Sequence, residues 1–318
     1  MNNERQKAVV MACDANYAPY TFCLAEQIAQ AHPHRDFDIC IFSAQPLEVP
    51  KSLAQLDLKC EVFAGVNPFE GGPNASRHGS ATYLRLLIPG LLANRYRRIL
   101  HLDGDILYQG QGIDILLAAD LCGATLGAVR DNTQWRTPGR SNPEFQVLGR
   151  SGRPYFNAGV LLIDTKRYVE QDVLGKCLEL WGGDPGALIR HDQSLLNLVV
   201  DGTWAEFSPV WNWQYTWSSR FFADLAEPRL IHFIGPRKPW KDTSAALPAR
   251  FRRTYHAFVA RHYPDQPELA PVDPVGLGWP TRSTRTFLKH LLSDRAMRRY
   301  LTRFPDADKA VALGDTKG

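Results

Sequence analysis

The sequence is poor in the features that mark exported or membrane-spanning proteins. Its six cysteines are scattered along 318 residues and form no Cys-x-x-Cys pair, so we expect reduced, mostly buried thiols in a cytosolic protein. No uncharged apolar run approaches the length of a membrane-spanning helix, and residues 1–7 lack the apolar core of a signal peptide. We therefore predict a cytoplasmic protein that is neither exported by this route nor integral to a membrane.

Two common nucleotide-binding motifs are also absent. Residues 8–13 form an apolar run typical of a β-strand, and residues 19–31 carry apolar side chains at helical spacing. The loop between them contains neither Gly-x-Gly-x-x-Gly nor Gly-x-x-x-x-Gly-Lys-Ser/Thr. A nucleotide would therefore need a different binding mode: Asp14 and Asn16 could hydrogen-bond a base edge while Tyr17 stacks on its face. Helix capping by Asp14 or Asn16 is the alternative.

What the sequence does contain is the composition of an ordinary globular protein. Apolar residues make up 44% and charged residues 22% of the chain, enough to bury a substantial core. Apolar β-rich runs alternate with helical runs, which predicts an α/β fold with a mostly parallel sheet flanked by helices. Besides the two elements above, the pattern predicts strands at residues 37–43, 59–63, 124–129, 155–164 and 229–234, and helices at residues 52–56, 80–87 and 165–181.

The central stretch is residues 97–108, an apolar run that leads into Asp103-Gly104-Asp105 and a second apolar pair. Residues two apart in an extended segment point to the same side, so Asp103 and Asp105 can meet one hard cation. Gly104 leaves room for the backbone of a ligand. A divalent ion carrying a diphosphate would supply the counter-charge that two acids at a strand end need. A plain Asp-Gly-Asp turn is the alternative.

Several other polar side chains stand at the ends of predicted elements, where α/β sheets place ligand contacts. Arg85 lies on a predicted helix and could deliver a cation towards Asp103, or could be a surface charge. His232 belongs either to a phosphate and metal pocket or to the core. Asp192 opens a helix, where an Asp is also a common cap. The remaining candidates are Asp131 after a strand, Asn157 at a strand entry, Gln193 beside Asp192, and Gly235, Lys238 and Trp240 shortly after His232.

Two stretches could line a substrate pocket. Residues 132–152 are polar and without periodicity, and a loop of this length inside a compact domain is often a lid or substrate wall. Residues 204–217 contain six aromatic side chains. Aromatic surfaces bind sugar rings as readily as they fill cores, so both interpretations of this stretch stay open.

The C-terminal part of the chain is more basic. We place a boundary at the Pro-rich residues 268–280, which separates a main domain, residues 1–265, from a linker and tail, residues 266–318. Residues 282–304 mix apolar side chains with seven Arg and Lys, which indicates a basic amphipathic helix or helix pair suited to anionic lipid headgroups. Packing on the main domain is the alternative. No recognition motif suggests a nucleic-acid partner, and we expect residues 306–318 to be frayed.

Taken together, several separated stretches resemble glycosyltransferase family 8, most closely its bacterial lipooligosaccharide α-1,4-galactosyltransferase branch. The match runs from about residue 8 to residue 240. In one departure, Ala15 stands where the family often has a second acid, which puts in question a donor contact by that side chain but not the metal site. The stretches are residues 12–20, 82–86, 99–105, 155–164, 191–193 and 232–240.

The resemblance implies the GT-A fold, with residues 1–265 as the catalytic domain of a retaining, metal-dependent glycosyltransferase that uses a UDP-sugar. Asp103, Asp105 and His232 would bind Mn²⁺, with Mg²⁺ as the alternative. The donor would be held by Asp14, Asn16 and Tyr17 at the uridine, by Gly104 beside the metal, by Arg85, Asp131, Asn157, Asp192 and Gln193 at the sugar, and by Gly235 and Lys238 at the diphosphate.

The chemistry implied by the resemblance agrees with these residues. A divalent ion and Lys238 can stabilise the departing diphosphate. Retention through a covalent intermediate needs a carboxylate beneath the anomeric carbon, but the family places Gln193 near that face, and an amide is a poor nucleophile. We therefore expect front-face attack, in which the departing phosphate accepts the acceptor proton and Asp192 or Asp131 positions the sugar. Asp192 as a covalent nucleophile is the alternative.

The sequence thus predicts an enzyme at the inner face of the cytoplasmic membrane that moves an α-linked hexose from UDP-galactose or UDP-glucose to a lipooligosaccharide, lipopolysaccharide or related surface glycan. Its partners would be the UDP-hexose, an oligosaccharide or glycolipid acceptor and anionic lipid. The alternatives are a nucleotide-sugar hydrolase or nucleotidyltransferase, and a non-catalytic UDP-sugar-binding protein. We expect removal of the residues after Arg282 to spare transfer to a soluble sugar but to release the protein from anionic vesicles.

Overall fold

The computed structural model describes residues 5–69, 81–137, 139–147, 149–183, 191–216, 219–243, 246–266 and 279–313. Strands and helices alternate along these ranges, as the sequence predicts. The strands are β1 (Lys7–Ala12), β2 (Phe37–Ser43), β3 (Leu58–Val62), β4 (Arg98–Leu102), β5 (Ile106–Tyr108), β6 (Leu126–Arg130), β7 (Phe156–Asp164), β8 (Ala205–Phe207), β9 (Trp213–Gln214), β10 (Leu230–His232) and β11 (Val311–Ala312).

The helices lie between these strands and after β10. Short 3₁₀ helices span Lys51–Leu56, Asn132–Gln134, Pro209–Trp211 and Pro239–Lys241. The α-helices are α1 (Ala18–Ala31), α2 (Ala81–Leu92), α3 (Ile113–Ala118), α4 (Pro143–Val147), α5 (Thr165–Glu170), α6 (Val173–Gly183), α7 (His191–Val199), α8 (Ala223–Ala226), α9 (Ala249–His262) and α10 (Trp279–Leu301).

Eight strands form one mixed sheet in the order β11-β8-β6-β7-β4-β1-β2-β3. The strands β1 to β4 run parallel, and β6 and β8 share their direction, whereas β7 and β11 run antiparallel to their neighbours. Six of the eight strands therefore point the same way. This arrangement confirms the prediction of a mostly parallel central sheet.

The sheet is buried on both faces by helices. Val9 and Met11 of β1 belong to the core under α1, α9 and α10, whereas Ala8 and Val10 belong to the core under α2, α6 and α7. Successive side chains of a strand point to opposite faces, so a strand covered on both sides needs an almost continuous apolar run. This requirement explains why the sequence shows unbroken apolar runs instead of alternation.

Some local predictions need correction. The helix predicted for residues 165–181 is divided into α5 and α6, because Asp172 between them has a φ of +49°. The loop of residues 132–152 contains a 3₁₀ turn and α4. All six cysteines are free, but Cys60 and Cys122 are exposed.

The aromatic stretch of residues 204–217 is part of the core. Trp217 lies outside the described residues, so its position stays untested. The other five side chains are buried, and they are Trp204, Phe207, Trp211, Trp213 and Tyr215. The stretch therefore fills the interior and does not form an exposed sugar platform.

The C-terminal segment packs against the main domain. Met297, Tyr300 and Phe304 are buried in the same core as α1 and α9. The prediction that residues 306–318 are frayed is wrong for β11, which pairs with β8; residues 314–318 lie outside the described chain. The boundary placed near residue 265 stays a prediction.

None of the helices in the described ranges is long and apolar enough to cross a bilayer.

Candidate metal centre and donor site

The ends of two paired strands bring Asp103, Asp105 and His232 together. Asp103 directly follows β4, and the antiparallel pairing of β5 with β10 places His232 opposite Ile106. Ligand atoms of the three residues all lie within 4.8 Å of one another. His232 Nε2 is 3.1 Å from Asp105 Oδ1 and 3.7 Å from Asp103 Oδ2. Asp103, Gly104 and Asp105 form a turn in which the Ile106 N–H donates to the Asp103 carbonyl oxygen at 3.3 Å. The two acids are therefore brought together by the Asp-Gly-Asp turn that was the alternative, not by an extended segment, and tertiary pairing adds the imidazole.

The donor set fits a divalent cation. The Asn212 amide nitrogen donates to Asn157 Oδ1 at 2.9 Å, so the Asn212 oxygen faces His232 Nδ1 at 3.0 Å and accepts a hydrogen bond from the Nδ1–H. In this tautomer the lone pair of the ring is on Nε2, the nitrogen that lies 3.1 Å from Asp105 Oδ1, a buried oxygen with no hydrogen-bond donor within the described chain. Two acceptors at 3.1 Å are stabilised by a cation between them. Carboxylate oxygens with one imidazole suit a metal such as Mn²⁺ or Mg²⁺.

Two basic side chains flank this cluster. Lys238 Nζ is 2.5 Å from Asp105 Oδ2, and Arg85 Nη2 is 2.7 Å from Asp103 Oδ1. The Arg85 side chain is only 11% exposed, so its interpretation as a surface charge is wrong. Burial alone would raise the pKa of both acids, but the Arg85 guanidinium holds the pKa of Asp103 below its usual range, and the charge of Lys238 acts in the same direction on the pKa of Asp105. Both carboxylates are therefore ionised and ready to bind a metal.

Asp192 lies on the far side of Arg85, in the first turn of α7. Its Oδ2 is 2.8 Å from Arg85 Nε. Burial raises the pKa of Asp192 to about 6, against the lowering effect of Arg85. Arg85 thus contacts both Asp103 of the metal cluster and Asp192, a buried acid whose pKa is raised to about 6.

Two amides beside Arg85 have orientations fixed by backbone donors. Asn157 Oδ1 accepts from the Gly159 N–H at 3.1 Å, so its Nδ2 faces Gln193 Oε1 at 3.2 Å. The same Gln193 oxygen accepts from the Ala158 N–H at 3.1 Å. Gln193 Nε2 is buried and has no partner within the described chain. Gln193 therefore presents an unused donor, while its oxygen is already engaged.

The loop after β1 approaches the cluster through Tyr17. Burial raises the pKa of Tyr17 to about 12, and the charge of Asp105 adds to this effect. The Tyr17 ring packs edge-on against Trp240 at 5.9 Å. Asp14 Oδ1 accepts the Tyr17 N–H at 2.9 Å in the turn before α1, whose N-cap residue is Tyr17 and has no side-chain capping bond. The side chains of Asp14 and Asn16 are exposed, as nucleotide contacts require.

Two glycines of the candidate site have different reasons to be glycine. A Cβ on Gly104 would lie 2.4 Å from Thr21 Oγ1 of α1. The packing of Thr21 against Gly104 is therefore one reason for a glycine here, and room for the backbone of a ligand stays a prediction. Gly235 has a φ of +78° and open space around it, so the turn after β10 needs glycine for its backbone.

Asp131 has a local role. Its Oδ1 accepts from Thr133 N at 3.0 Å and Thr133 Oγ1 at 2.6 Å, which caps the 3₁₀ turn after β6. The side chain is buried. Contact between Asp131 and a donor sugar stays a prediction.

The comparisons with known proteins agree with this site. The sequence profile of glycosyl transferase family 8 matches residues 8–244. The chain belongs to glycosyl transferase family 8. The fold is GT-A, since the structure matches that of galactosyltransferase LgtC in complex with donor and acceptor sugar analogues. That match has a TM-score of 0.63 and 27% identity, and covers 79% of this chain and 95% of LgtC.

Curated family 8 relatives include enzymes named for lipopolysaccharide synthesis. The lipopolysaccharide 1,3-galactosyltransferase of Salmonella typhimurium is 25% identical over 255 residues, which is 75% of this chain and 72% of the relative. The lipopolysaccharide glucosyltransferase WaaO of Escherichia coli is 28% identical over 183 residues, 54% of this chain and 52% of the relative. This chain spans only between 27% and 65% of the length of three further curated relatives.

The structure of this family 8 chain adds two residues that the sequence analysis missed. His101 Nε2 lies 3.4 Å from Asp103 Oδ1, and its place two residues before Asp103 in an extended run was a usable signal. Asn212 holds His232 from within the buried aromatic stretch. Nothing in the local pattern around Asn212 indicates this role, because it depends on how β10 packs against the loop before β9.

Proposed function

We propose that this chain is a retaining, metal-dependent glycosyltransferase that moves a galactosyl or glucosyl group from a UDP-sugar to a hydroxyl of a lipopolysaccharide or related surface glycan. The observation that carries the proposal is the pair of facing acceptors, His232 Nε2 and Asp105 Oδ1, in a chain of family 8. The acceptor class rests on the lipopolysaccharide enzymes among its relatives.

Different residues of the site would bind different parts of the donor. Asp103, Asp105 and His232 would hold the divalent ion, which supplies positive charge beside the leaving diphosphate when it is bound. Lys238 already contacts Asp105 and would add a second positive charge at the same place. Tyr17, on the neighbouring loop, would pack against the uridine, with Asp14 and Asn16 at the base edge.

The side chains near the sugar favour attack from the front face. A nucleophilic amide would need a free oxygen, but Gln193 Oε1 already accepts two hydrogen bonds. Asp192 is held by Arg85, which supports a positioning role over a covalent one. In the proposed step, the acceptor oxygen bonds to the anomeric carbon on the face that the diphosphate leaves. The acceptor proton passes to the departing phosphate oxygen. Gln193 Nε2 would donate to the sugar, and Asp131 is a further candidate to position it.

The direct test is UDP release from a panel of UDP-sugars, each with Mn²⁺ or EDTA and each with or without lactose. We expect metal-dependent release from one UDP-hexose that rises with acceptor, and the anomeric configuration of the product should match the donor. UDP release at the same rate with and without acceptor would favour a nucleotide-sugar hydrolase. Binding of UDP-sugars without any release would favour a binding protein.

We also propose that the exposed face of α10 contacts anionic membrane and brings the enzyme close to a lipid-linked acceptor at the inner face of the cytoplasmic membrane. Leu291 and Leu292 are 57% and 89% exposed, and Phe287 and Leu288 extend this apolar face. Exposed Lys and Arg flank it, namely Lys289, Arg295, Arg298 and Arg299. Apolar side chains bordered by basic ones suit the interface of an anionic bilayer.

The membrane proposal can be tested without disturbing the core. The triple variant Leu288→Ser, Leu291→Ser, Leu292→Ser should lose most of its binding to phosphatidylglycerol vesicles, measured by co-sedimentation, while transfer to lactose is kept. Leu225→Ser is the matched control, since Leu225 is 58% exposed and lies outside α10. Undiminished vesicle binding by the triple variant would contradict the proposal.

A further inference from the structure

The metal ligand His232 and the donor-site amide Gln193 belong to one buried chain of hydrogen bonds. Its central member is Asn212, whose side chain is fully buried. Asn212 Oδ1 is 3.0 Å from His232 Nδ1, and Asn212 Nδ2 is 2.9 Å from Asn157 Oδ1. Asn157 Nδ2 in turn is 3.2 Å from Gln193 Oε1. A single asparagine thus touches both halves of the site.

The direction of every bond in this chain follows from two backbone donors. The Gly159 N–H requires an oxygen of Asn157 opposite it, and the Ala158 N–H requires the oxygen of Gln193. Asn157 Oδ1 is therefore an acceptor, so the group that Asn212 turns towards it must be the amide nitrogen. The oxygen of Asn212 is then left for His232, which must carry its proton on Nδ1.

Steric contact restricts the His232 ring from the other side. A Cβ on Gly159 would lie 2.2 Å from His232 Cε1, so the ring packs directly on the β7 backbone. The ring can neither turn over nor exchange its nitrogens without losing the bond to Asn212. In the neutral ring the lone pair is consequently on Nε2, the nitrogen that lies 3.1 Å from Asp105 Oδ1.

We propose that Asn212 is a positioning residue that fixes the tautomer of His232 and, through Asn157, the orientation of Gln193. Metal affinity and donor-sugar geometry would then depend on one side chain that is not itself a ligand. This inference rests on the proposed function for its metal. Groups that orient a metal-bound imidazole are typically worth about 10-fold to 100-fold in affinity or activity.

The test compares two variants of Asn212 with a matched asparagine. Asn212→Leu removes both bonds of the chain. Asn212→Asp keeps the acceptor for His232 Nδ1–H but places an oxygen against Asn157 Oδ1. Asn197→Leu is the control, because Asn197 is buried and donates to the carbonyl oxygens of Phe156 and Gln193 without touching His232. Mn²⁺ binding is measured by electron paramagnetic resonance with UDP present, and transfer kinetics are measured separately.

We expect Asn212→Leu to weaken Mn²⁺ binding by about 10-fold to 100-fold. Asn212→Asp should keep Mn²⁺ affinity within about threefold but lower kcat about 10-fold through Asn157. Asn197→Leu should lose stability and leave Mn²⁺ affinity unchanged. Equal Mn²⁺ affinity in Asn212→Leu and the wild type, or equal weakening in Asn212→Leu and Asn197→Leu, would overturn the proposal.

A metal-free readout separates this inference from the proposed function. Nitrogen-15 spectra of labelled histidine, with His232→Gln as the assignment control, should place the proton of wild-type His232 on Nδ1. In Asn212→Leu the proton should move to Nε2, facing Asp105. A neutral wild-type His232 with its proton on Nε2 and none on Nδ1 would overturn the inference. Wild-type protein that binds no Mn²⁺ with UDP, yet has the Nδ1 proton, would contradict the proposed function alone.

Discussion

Two buried clusters of charge in this protein differ in whether their acceptors are filled. The first surrounds Asp105, in the turn that follows β4, and the second surrounds Glu206 between β8 and α10. Both Glu206 oxygens are saturated: Oε1 accepts from Arg130, Tyr300 and Arg303, and Oε2 accepts from both arginines. Within the described ranges Asp105 Oδ1 accepts no hydrogen bond, and His232 Nε2 lies 3.1 Å from it.

This difference distinguishes a structural ion cluster from a ligand-binding site. A buried charge costs free energy unless it is paired and hydrogen-bonded. In the Glu206 cluster, hydrogen bonds from side chains of the protein offset this cost, and they join the C-terminal helix to the sheet. The Asp105 cluster is left with facing acceptors and an unused Gln193 donor, which a metal ion and a sugar can satisfy.

The largest effect should come from Asp103→Asn or Asp105→Asn. Each removes one carboxylate from the proposed metal site, so we expect kcat/KM for transfer to fall by about 1,000-fold or more. Both variants should still fold, because Arg85 keeps Asp192 and Lys238 keeps the carbonyl oxygen of Phe233 as partners. Wild-type activity in either variant, or in excess EDTA, would remove the metal role.

Glu206→Gln should affect stability instead of metal binding. The change leaves the buried Arg130 guanidinium without its carboxylate, which should lower the free energy of unfolding by about 3–5 kcal/mol. Urea unfolding measures this loss, and the Mn²⁺ affinity of the remaining folded protein should be unchanged. A stable Glu206→Gln protein with weakened Mn²⁺ binding would reverse the assignment of the two clusters.

The same comparison changes our expectation for truncation of the chain. Removing the residues after Arg282 would take Tyr300 and Arg303 from Glu206 and Met297 and Phe304 from the core. We now expect that truncated chain to be unstable, and the exposed-leucine variants become the better test of membrane contact. Equal melting temperatures for the truncated and complete chains would contradict this expectation.

Asp192 should give a pH-dependent effect of intermediate size. Its folded pKa of about 6 lies above the usual Asp value, so protonation favours the folded state. The contribution of this protonation to the free energy of unfolding is complete below about pH 3.9 and is lost as the pH rises through about 6, for a total of about 3 kcal/mol. In EDTA, the free energy of unfolding of the wild type should therefore rise relative to that of Asp192→Asn when the pH is lowered from 7 to 4. A difference in unfolding free energy that does not change with pH would contradict it.

Tyr300→Phe should have the smallest effect. It removes one hydrogen bond at 2.8 Å to Glu206, which keeps two arginine partners. We expect a loss of about 1 kcal/mol in unfolding free energy and no change in kcat. A change in transfer activity would indicate that the two clusters are coupled.

Several features of the site could be predicted from the sequence because they depend on local periodicity. The Asp103-Gly104-Asp105 motif directly follows a buried apolar run, which predicts two acids close together at the end of a strand, although the motif itself is a turn. The alternation of strand and helix patterns indicates the α/β class. The close approach of Gly104 to Thr21 of α1 and the antiparallel direction of β7 have no signature in the local sequence.

Acids, an imidazole and a lysine can be recognised in the amino-acid sequence as residues able to bind a metal ion and a diphosphate, whatever fold surrounds them. How their acceptors and donors are filled depends on the three-dimensional structure. His232 meets Asp105 because β10 pairs with β5, although the two residues are 127 positions apart. Arg303 and Tyr300 saturate Glu206 because α10 returns to the sheet. Whether a buried charge is a structural contact or an open site depends on such long-range partners, which no local pattern encodes.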